Sequence, residues 1–314
     1  MRRLGAAAAI AAALLAGCGD DDETTRASES RPPAGGGGTL TFALPELPST
    51  IDPLDARSFP DQLVTRQLHE PLVATLSGPY EDRSRQPGLA LSLTPSSDHT
   101  VWRVQLRSGV SFHDGGPFNA QAVLANGRRW DSSAAGERLL PGLFAVDAPR
   151  PGEVRFQFSR PRRDLPALLS SPRLGIVSPR ALRPRSGEFA RLRAVAADTG
   201  TGPFRLGSRS GEALSLGRNG AWWGTPLELG PALDGVGFTA VVSEDERLEM
   251  LASGAIQATR PVGPEGAAAV ATDPLLRISG EGTAEIAHEA SVRGLDQGSA
   301  VPVLSRVWLT TIAG

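Results

Sequence analysis

Lysine is absent from this 314-residue chain, so all 32 of its basic residues are arginine. A Walker A phosphate loop, a pyridoxal Schiff base and a Ser-Lys dyad each depend on a lysine, and all three are excluded. A basic excess is lacking too. With 34 acidic residues the formal charge is -2, which leaves nothing to drive the counterion release behind nucleic-acid binding, and no nucleic-acid partner is expected. Cysteine occurs once, at Cys18, too few for a disulfide. Beyond the N-terminus no run is apolar enough to span a membrane. Turn formers are plentiful: 36 Gly and 26 Pro argue against an all-helical bundle, while 40% hydrophobic residues suit a folded core. The length allows one large domain or two moderate ones.

Catalytic signatures are incomplete wherever they begin. His69-Glu70 and His288-Glu289 each open a zincin pattern, but Val73 and Val292 stand where the second His belongs, and no G-x-S-x-G elbow occurs. Phe112-His113-Asp114-Gly115 offers one His and one Asp beside a turn, a structural pairing rather than a ligand set. No enzyme activity, metal or cofactor is expected.

The first residues have their own logic. Arg2-Arg3 precede an apolar run over 4–15 and then Leu15-Ala16-Gly17-Cys18, a positive n-region, short h-region and small residues before a cleavage point. This resembles a bacterial lipoprotein signal. The resemblance implies removal of residues 1–17, lipidation of Cys18, and a protein held on the extracytoplasmic face of the cell membrane by its lipid. Residues 18–38 are polar and end in Pro32-Pro33-Ala34 and four glycines, so they are expected to form a flexible tether. The folded part is expected to start near Thr39.

Within it, residues 39–44 alternate, with Leu40, Phe42 and Leu44 on one face, and predict a half-buried strand. Ser58 predicts a helix cap with Pro60 in the first turn, Leu63, Val64 and Leu68 facing inward, and an end near Pro71. Residues 100–107, 153–159, 213–218 and 235–242 predict further strands. Asn119 opens another helix, and Ser243 with Glu246 caps one that carries Leu248 and Leu251 and stops at Gly254. The predicted fold class is α/β, mixed α+β. Gly200-Thr201-Gly202-Pro203 has Arg205 where a dinucleotide fingerprint requires its third glycine, and reads instead as a tight chain crossing between lobes.

The order of these segments resembles the family 5 extracytoplasmic solute-binding proteins of ABC transporters. The carrying residues are 39–43 (T-L-T-F-A), Ile51-Asp52-Pro53, Glu70-Pro71-Leu72-Val73, Pro87-Gly88-Leu89-Ala90, the run 102–120, 200–204 (G-T-G-P-F), Asn219 with Trp222-Trp223-Gly224, and 247–254 (R-L-E-M-L-A-S-G). Gln121 and Gln257 replace acidic residues usual in the family. The resemblance implies a periplasmic-binding-protein-like type II fold, with a main lobe at 39–75 and 196–314 and a smaller inserted domain at 76–195. The family's later Asn-strand and Arg-Gln-Ala helix motif is not found after Thr259, so the second large lobe is expected to be mostly absent, with the β-rich run 301–312 returning to complete the first lobe's sheet.

By resemblance the chain is a monomer that delivers a small solute or peptide to an ABC permease. The alternative is a surface sensor or interaction lipoprotein that kept the scaffold without trapping a solute. By position, the resemblance also implies ligand contacts at Arg57, Ser58, Phe59, Thr201, Gly202 and Glu212. Arg57 is suited to pair bidentately with a ligand carboxylate, and Phe59 to cover an apolar group; the alternative is that Arg57 is a solvated loop charge and Phe59 part of the helix-capping staple. Trp222 and Trp223 are assigned to core packing.

Overall fold

The computed structural model describes residues 37–73, 88–182, 199–225, 231, 233–260, 262–273, 276–279 and 283–286. In chain order the elements are β1 (Thr39–Leu44), α1 (Phe59–Leu68), β2 (Ala90–Pro95), β3 (Val101–Leu106), α2 (Ala120–Asp131), α3 (Ala134–Leu139), β4 (Leu143–Arg150), β5 (Glu153–Phe158) and α4 (Leu165–Leu168). They continue with β6 (Phe204–Arg209), β7 (Ala213–Arg218), β8 (Gly235–Ala240), α5 (Glu244–Ala252), β9 (Ala258–Thr259), α6 (Pro264–Thr272), β10 (Leu276–Ser279) and β11 (Thr283–Ile286). Two sheets result. One runs β10-β11-β9-β1-β8-β7-β6, and the other, wholly antiparallel, runs β2-β3-β5-β4.

In the larger sheet β1 lies between β8 and β9, parallel to both. The alternation in β1 turns Leu40, Phe42 and Leu44 toward Leu63, Val64 and Leu68 of α1, with Phe42 and Phe238 rings 6.2 Å apart. Contrary to the expected half-burial, the opposite face is covered as well: Ala43 packs with Leu251 of α5, Ile256 and Val270 of α6. The crossover from β8 through α5 to β9 passes over β1 and closes that face, as a strand with parallel neighbours on both sides requires.

The smaller sheet has its own core. Trp102, Val104 and Leu106 of β3 and Val154, Phe156 and Phe158 of β5 alternate inward, and α2 lays Val123 and Trp130 across them, Trp130 stacking on Phe156 at 6.4 Å. Each such large side chain contributes about 1.5–3 kcal/mol by leaving water. Asn119 caps α2 through its side chain and Ser243 caps α5. Gly254, at φ 78°, ends α5 in the left-handed conformation that glycine adopts without a Cβ clash.

Gly38, placed in the tether by the sequence reading, is fastened to the sheet: it donates to the Asp234 carboxylate at 2.9 Å, and its carbonyl accepts from Asp234 N–H. Cys18, the signal segment and the run 301–312 lie outside the described residues. Among the described residues no helix is long and apolar enough to cross a membrane.

Candidate functional site

β1 is followed by α1 on one face of the large sheet and β8 by α5 on the other. Neighbouring parallel strands whose helices leave in opposite directions open a crevice at their carboxyl ends, where ligands of such sheets bind. The loops at that edge are 45–58 and 241–243, together with Arg260 directly after β9. The turn between β6 and β7 reaches the same edge, since Ala213 pairs with Thr239 near the end of β8.

Asp61 organises this edge. It lies in the first turn of α1, where Ser58 Oγ accepts from Asp61 N–H and the Asp61 carboxylate accepts in return from Ser58 N–H, a complete capping box. The same carboxylate also receives Ser49 N–H at 2.7 Å, Ser49 Oγ–H at 3.1 Å, Thr50 N–H at 3.2 Å and Arg57 N–H at 3.3 Å. Burial works to raise its pKa, but the hydrogen bonds from Ser58, Thr50 and Ser49 outweigh it and hold the pKa below the ordinary value. One charged side chain thereby holds both ends of the segment 49–58 at the helix N-terminus, where the dipole also favours an anion. Further along the loop, Asp52 caps the 3-10 turn Pro53–Asp55 and pairs with Arg129 of α2 at 2.5 Å. Burial raises the Asp52 pKa against the opposing pull of Arg129.

This loop presents Arg57 exposed and Phe59 half-buried, with the Arg260 guanidinium 4.2 Å over the Phe59 ring. Ser58 is committed to its cap. Glu212 is exposed on the β6–β7 turn and its carbonyl accepts from Ala240 N–H, which places it beside the end of β8. Val242, 84% exposed, adds an apolar contact surface there, its carbonyl and that of Val241 held by Arg247 Nη1 at 2.8 Å. Asp61, Arg260 and Val242 were not singled out from the sequence. The Ser-x-x-Asp spacing at 58–61 carried the signal for Asp61, whereas the other two are defined only by where β8 and β9 end.

Thr201 and Gly202 lie elsewhere, roughly 13 Å away along the axis of α1 at its C-terminal end. Gly202 N–H donates to Leu68 O at 2.9 Å, and an added Cβ on Gly200 would stand 1.8 Å from Leu68 O. His113 clamps the crossing by donating its N–H to Gly200 O and Nε2 to Gly202 O, and Asn219 donates to Gly202 O at 3.0 Å. Thr201 is 1% exposed. The crossing is a buried fastening between elements, as its composition suggested, and the structure does not bring it to the crevice.

Beside it sits Glu70, just past α1. The buried carboxyl accepts from Trp223 Nε1 at 2.9 and 3.2 Å, and Arg107 stacks 4.1 Å over the Trp223 ring. Burial pushes the Glu70 pKa up to about 7, against the pull of Trp223, Thr201, Trp222 and Arg107. Trp222 is core packing, as expected, but Trp223 is also a hydrogen-bond donor to this acid. His113 and Asp114 are structural: the Asp114 carboxylate accepts from Ser178 Oγ at 2.6 Å and from Gly116 N–H at 2.8 Å.

A mixed α/β protein whose central strand has parallel neighbours and whose smaller antiparallel sheet is inserted after the first helix has the type II periplasmic-binding-protein fold. Residues 85–293 match the bacterial extracellular solute-binding proteins, family 5 middle region, and the chain belongs to this family. It is 28% identical over 234 residues to the glutathione-binding protein GsiB of Salmonella typhi, covering 73% of this chain and 43% of that protein. To GsiB of Escherichia coli K12 it is 28% identical over 218 residues, 68% of this chain and 40% of the relative. Among solved structures it is similar to the PBP AgaA in complex with agropinic acid from A.tumefacien R10, with a TM-score of 0.66 and 26% identity over 76% of this chain and 47% of the other. It shares its fold with the periplasmic binding protein DppA of Helicobacter pylori, in complex with the peptide STSA, at a TM-score of 0.62 and 23% identity over 78% and 51% of the two chains. The chain thus spans less than half the length of the curated relatives it matches.

Proposed function

We propose that this protein binds a small solute or a short peptide at the carboxyl edge of the large sheet and presents it to an ABC permease. The observation that carries the reading is the topology: adjacent parallel strands send their helices to opposite faces, and the loop at their carboxyl ends is held by Asp61, with Arg57 exposed and Phe59 half-buried beside it. Family membership supports the same reading, as does the glutathione-binding activity named for GsiB. The lipoprotein-like signal at residues 1–18 supports anchoring through Cys18 on the extracytoplasmic face, with the protein acting as a monomer.

Native mass spectrometry and calorimetry of the full chain with glutathione and with a tripeptide mixture test the binding. A 1:1 complex that Phe59→Ala weakens supports the reading, and the absence of any complex contradicts it. Detergent partitioning of the expressed protein and of Cys18→Ala tests the anchor, which predicts that the variant leaves the detergent phase or keeps its signal segment.

A further inference from the structure

Arginine gathers where the loop 45–58 meets the smaller sheet's helices. The 3-10 turn Pro53–Asp55 packs against both α3 and the 3-10 turn Pro172–Leu174. Arg57 follows the first of these turns by two positions, Arg138 belongs to α3 and Arg173 to the second turn, so the three come from segments packed around Pro53–Asp55. Their charges are felt mutually: after burial, Arg57 and then Arg138 lower the Arg173 pKa, and Asp55 is the carboxylate that opposes them. Asp52, the next carboxylate, is already occupied by Arg129 at 2.5 Å. Arg57 and Arg138 are exposed. Arg173 donates Nη2 to Leu54 O at 2.8 Å and keeps its Nε–H buried with no acceptor.

Three guanidiniums facing one exposed carboxylate repel one another, and an anion relieves the repulsion. The planar donor fork of arginine fits a carboxylate bidentately. We propose that Arg57, Arg138 and Arg173 form an anion-binding corner of the solute site, and that the solute carries a carboxylate. Only Ser58 separates Arg57 from Phe59 at the start of α1, so a solute anchored by its carboxylate lays its remaining surface toward Phe59 and Arg260. The identity of the ligand rests on the solute-binding reading above, whereas the corner itself is a property of the three arginines.

The test uses the full chain at low ionic strength. Citrate is titrated while the arginine Nε–Hε signals are followed by NMR, and glutathione and glutathione diethyl ester are compared by calorimetry. Citrate is expected to saturate and to shift the Arg173 Nε–Hε signal. Arg57→Gln and Arg173→Gln are each expected to weaken citrate at least tenfold, while Arg103→Gln on the exposed face of β3 leaves it unchanged. The diethyl ester is expected to bind at least tenfold more weakly than glutathione, and Arg173→Gln to abolish that difference. Citrate binding that does not saturate, or that responds equally to Arg103→Gln, overturns the corner. So does equal binding of acid and ester, an outcome that leaves the solute-binding reading standing. Saturable citrate with neither glutathione compound bound supports the corner and counts against the solute-binding reading.

Discussion

The two ends of α1 each carry a carboxylate, and the two are handled in opposite ways. At the N-terminal end Asp61 is surrounded by backbone and hydroxyl donors that hold its pKa down, so it stays charged and draws the loop 45–58 into shape. At the C-terminal end Glu70 is sealed among Trp222, Trp223 and Thr201, and burial holds its pKa near 7. The first end shapes an exposed rim around Arg57 and Phe59, and the second fastens the Gly200–Gly202 crossing to the helix. Their contrast shows that in this chain a conspicuous glycine motif marks close packing, while the exposed rim before α1 is shaped by a single capping acid.

Breaking the fastening should have the largest effect. Gly200→Ala puts a Cβ into the Leu68 carbonyl, and overpacking against backbone has no flexible neighbour to yield. A loss of about 3 kcal/mol or more in denaturant unfolding is expected. An unchanged midpoint would show that the crossing is loosely held.

The Glu70 acid comes next. Folding retains its proton up to about pH 7, whereas an unfolded carboxyl releases it near 4.5. Its contribution is therefore fully present below the unfolded value and is lost as pH rises through the folded one, lowering stability by about 3 kcal/mol between those limits. Glu70→Gln should flatten that segment of the stability profile while keeping the Trp223 contact, and a slope that persists in the variant would assign the dependence elsewhere.

Asp61 has the opposite sign. Because its folded pKa is depressed, its stabilisation is present above the ordinary value of 3.8 and disappears as pH falls through the folded pKa. Asp61→Ala should cost about 2 kcal/mol through the lost cap, and should weaken solute binding more than Gly200→Ala does once both are measured under folding conditions. Phe59→Ala sits at the small end, about 1 kcal/mol in stability through its contact with Arg260. Its effect should appear chiefly in binding.

Much of the fold was legible from period-2 and capping patterns because β1, β3, β5, β7 and β8 each bury one apolar row, and Ser58, Asn119 and Ser243 are strong caps. The strands that escaped notice are mostly edges. β2 and β4 flank the smaller sheet and β6 and β10 the larger, and an edge strand such as β2, with Ser92, Thr94 and Pro95, needs no continuous apolar row. β9 spans two residues and owes its existence to β1 and β11 on either side. The site was half legible. Arg57, Phe59 and Glu212 were named by position and stand at the carboxyl edge, but Ser58 is spent on its cap and Thr201 and Gly202 are buried at the far end of the helix. Composition does not distinguish a glycine that admits a ligand from one that admits a neighbouring carbonyl, and only the Leu68 contact decides between them.

Hydrogen–deuterium exchange of the full chain with and without saturating glutathione tests the central claim most directly, since it reads both ends of α1 in one experiment. The account predicts that slowed exchange is concentrated in residues 45–59 and 241–243, with residues 199–203 already slow and unchanged. Protection gained at 199–203 with none at 45–59 would contradict it.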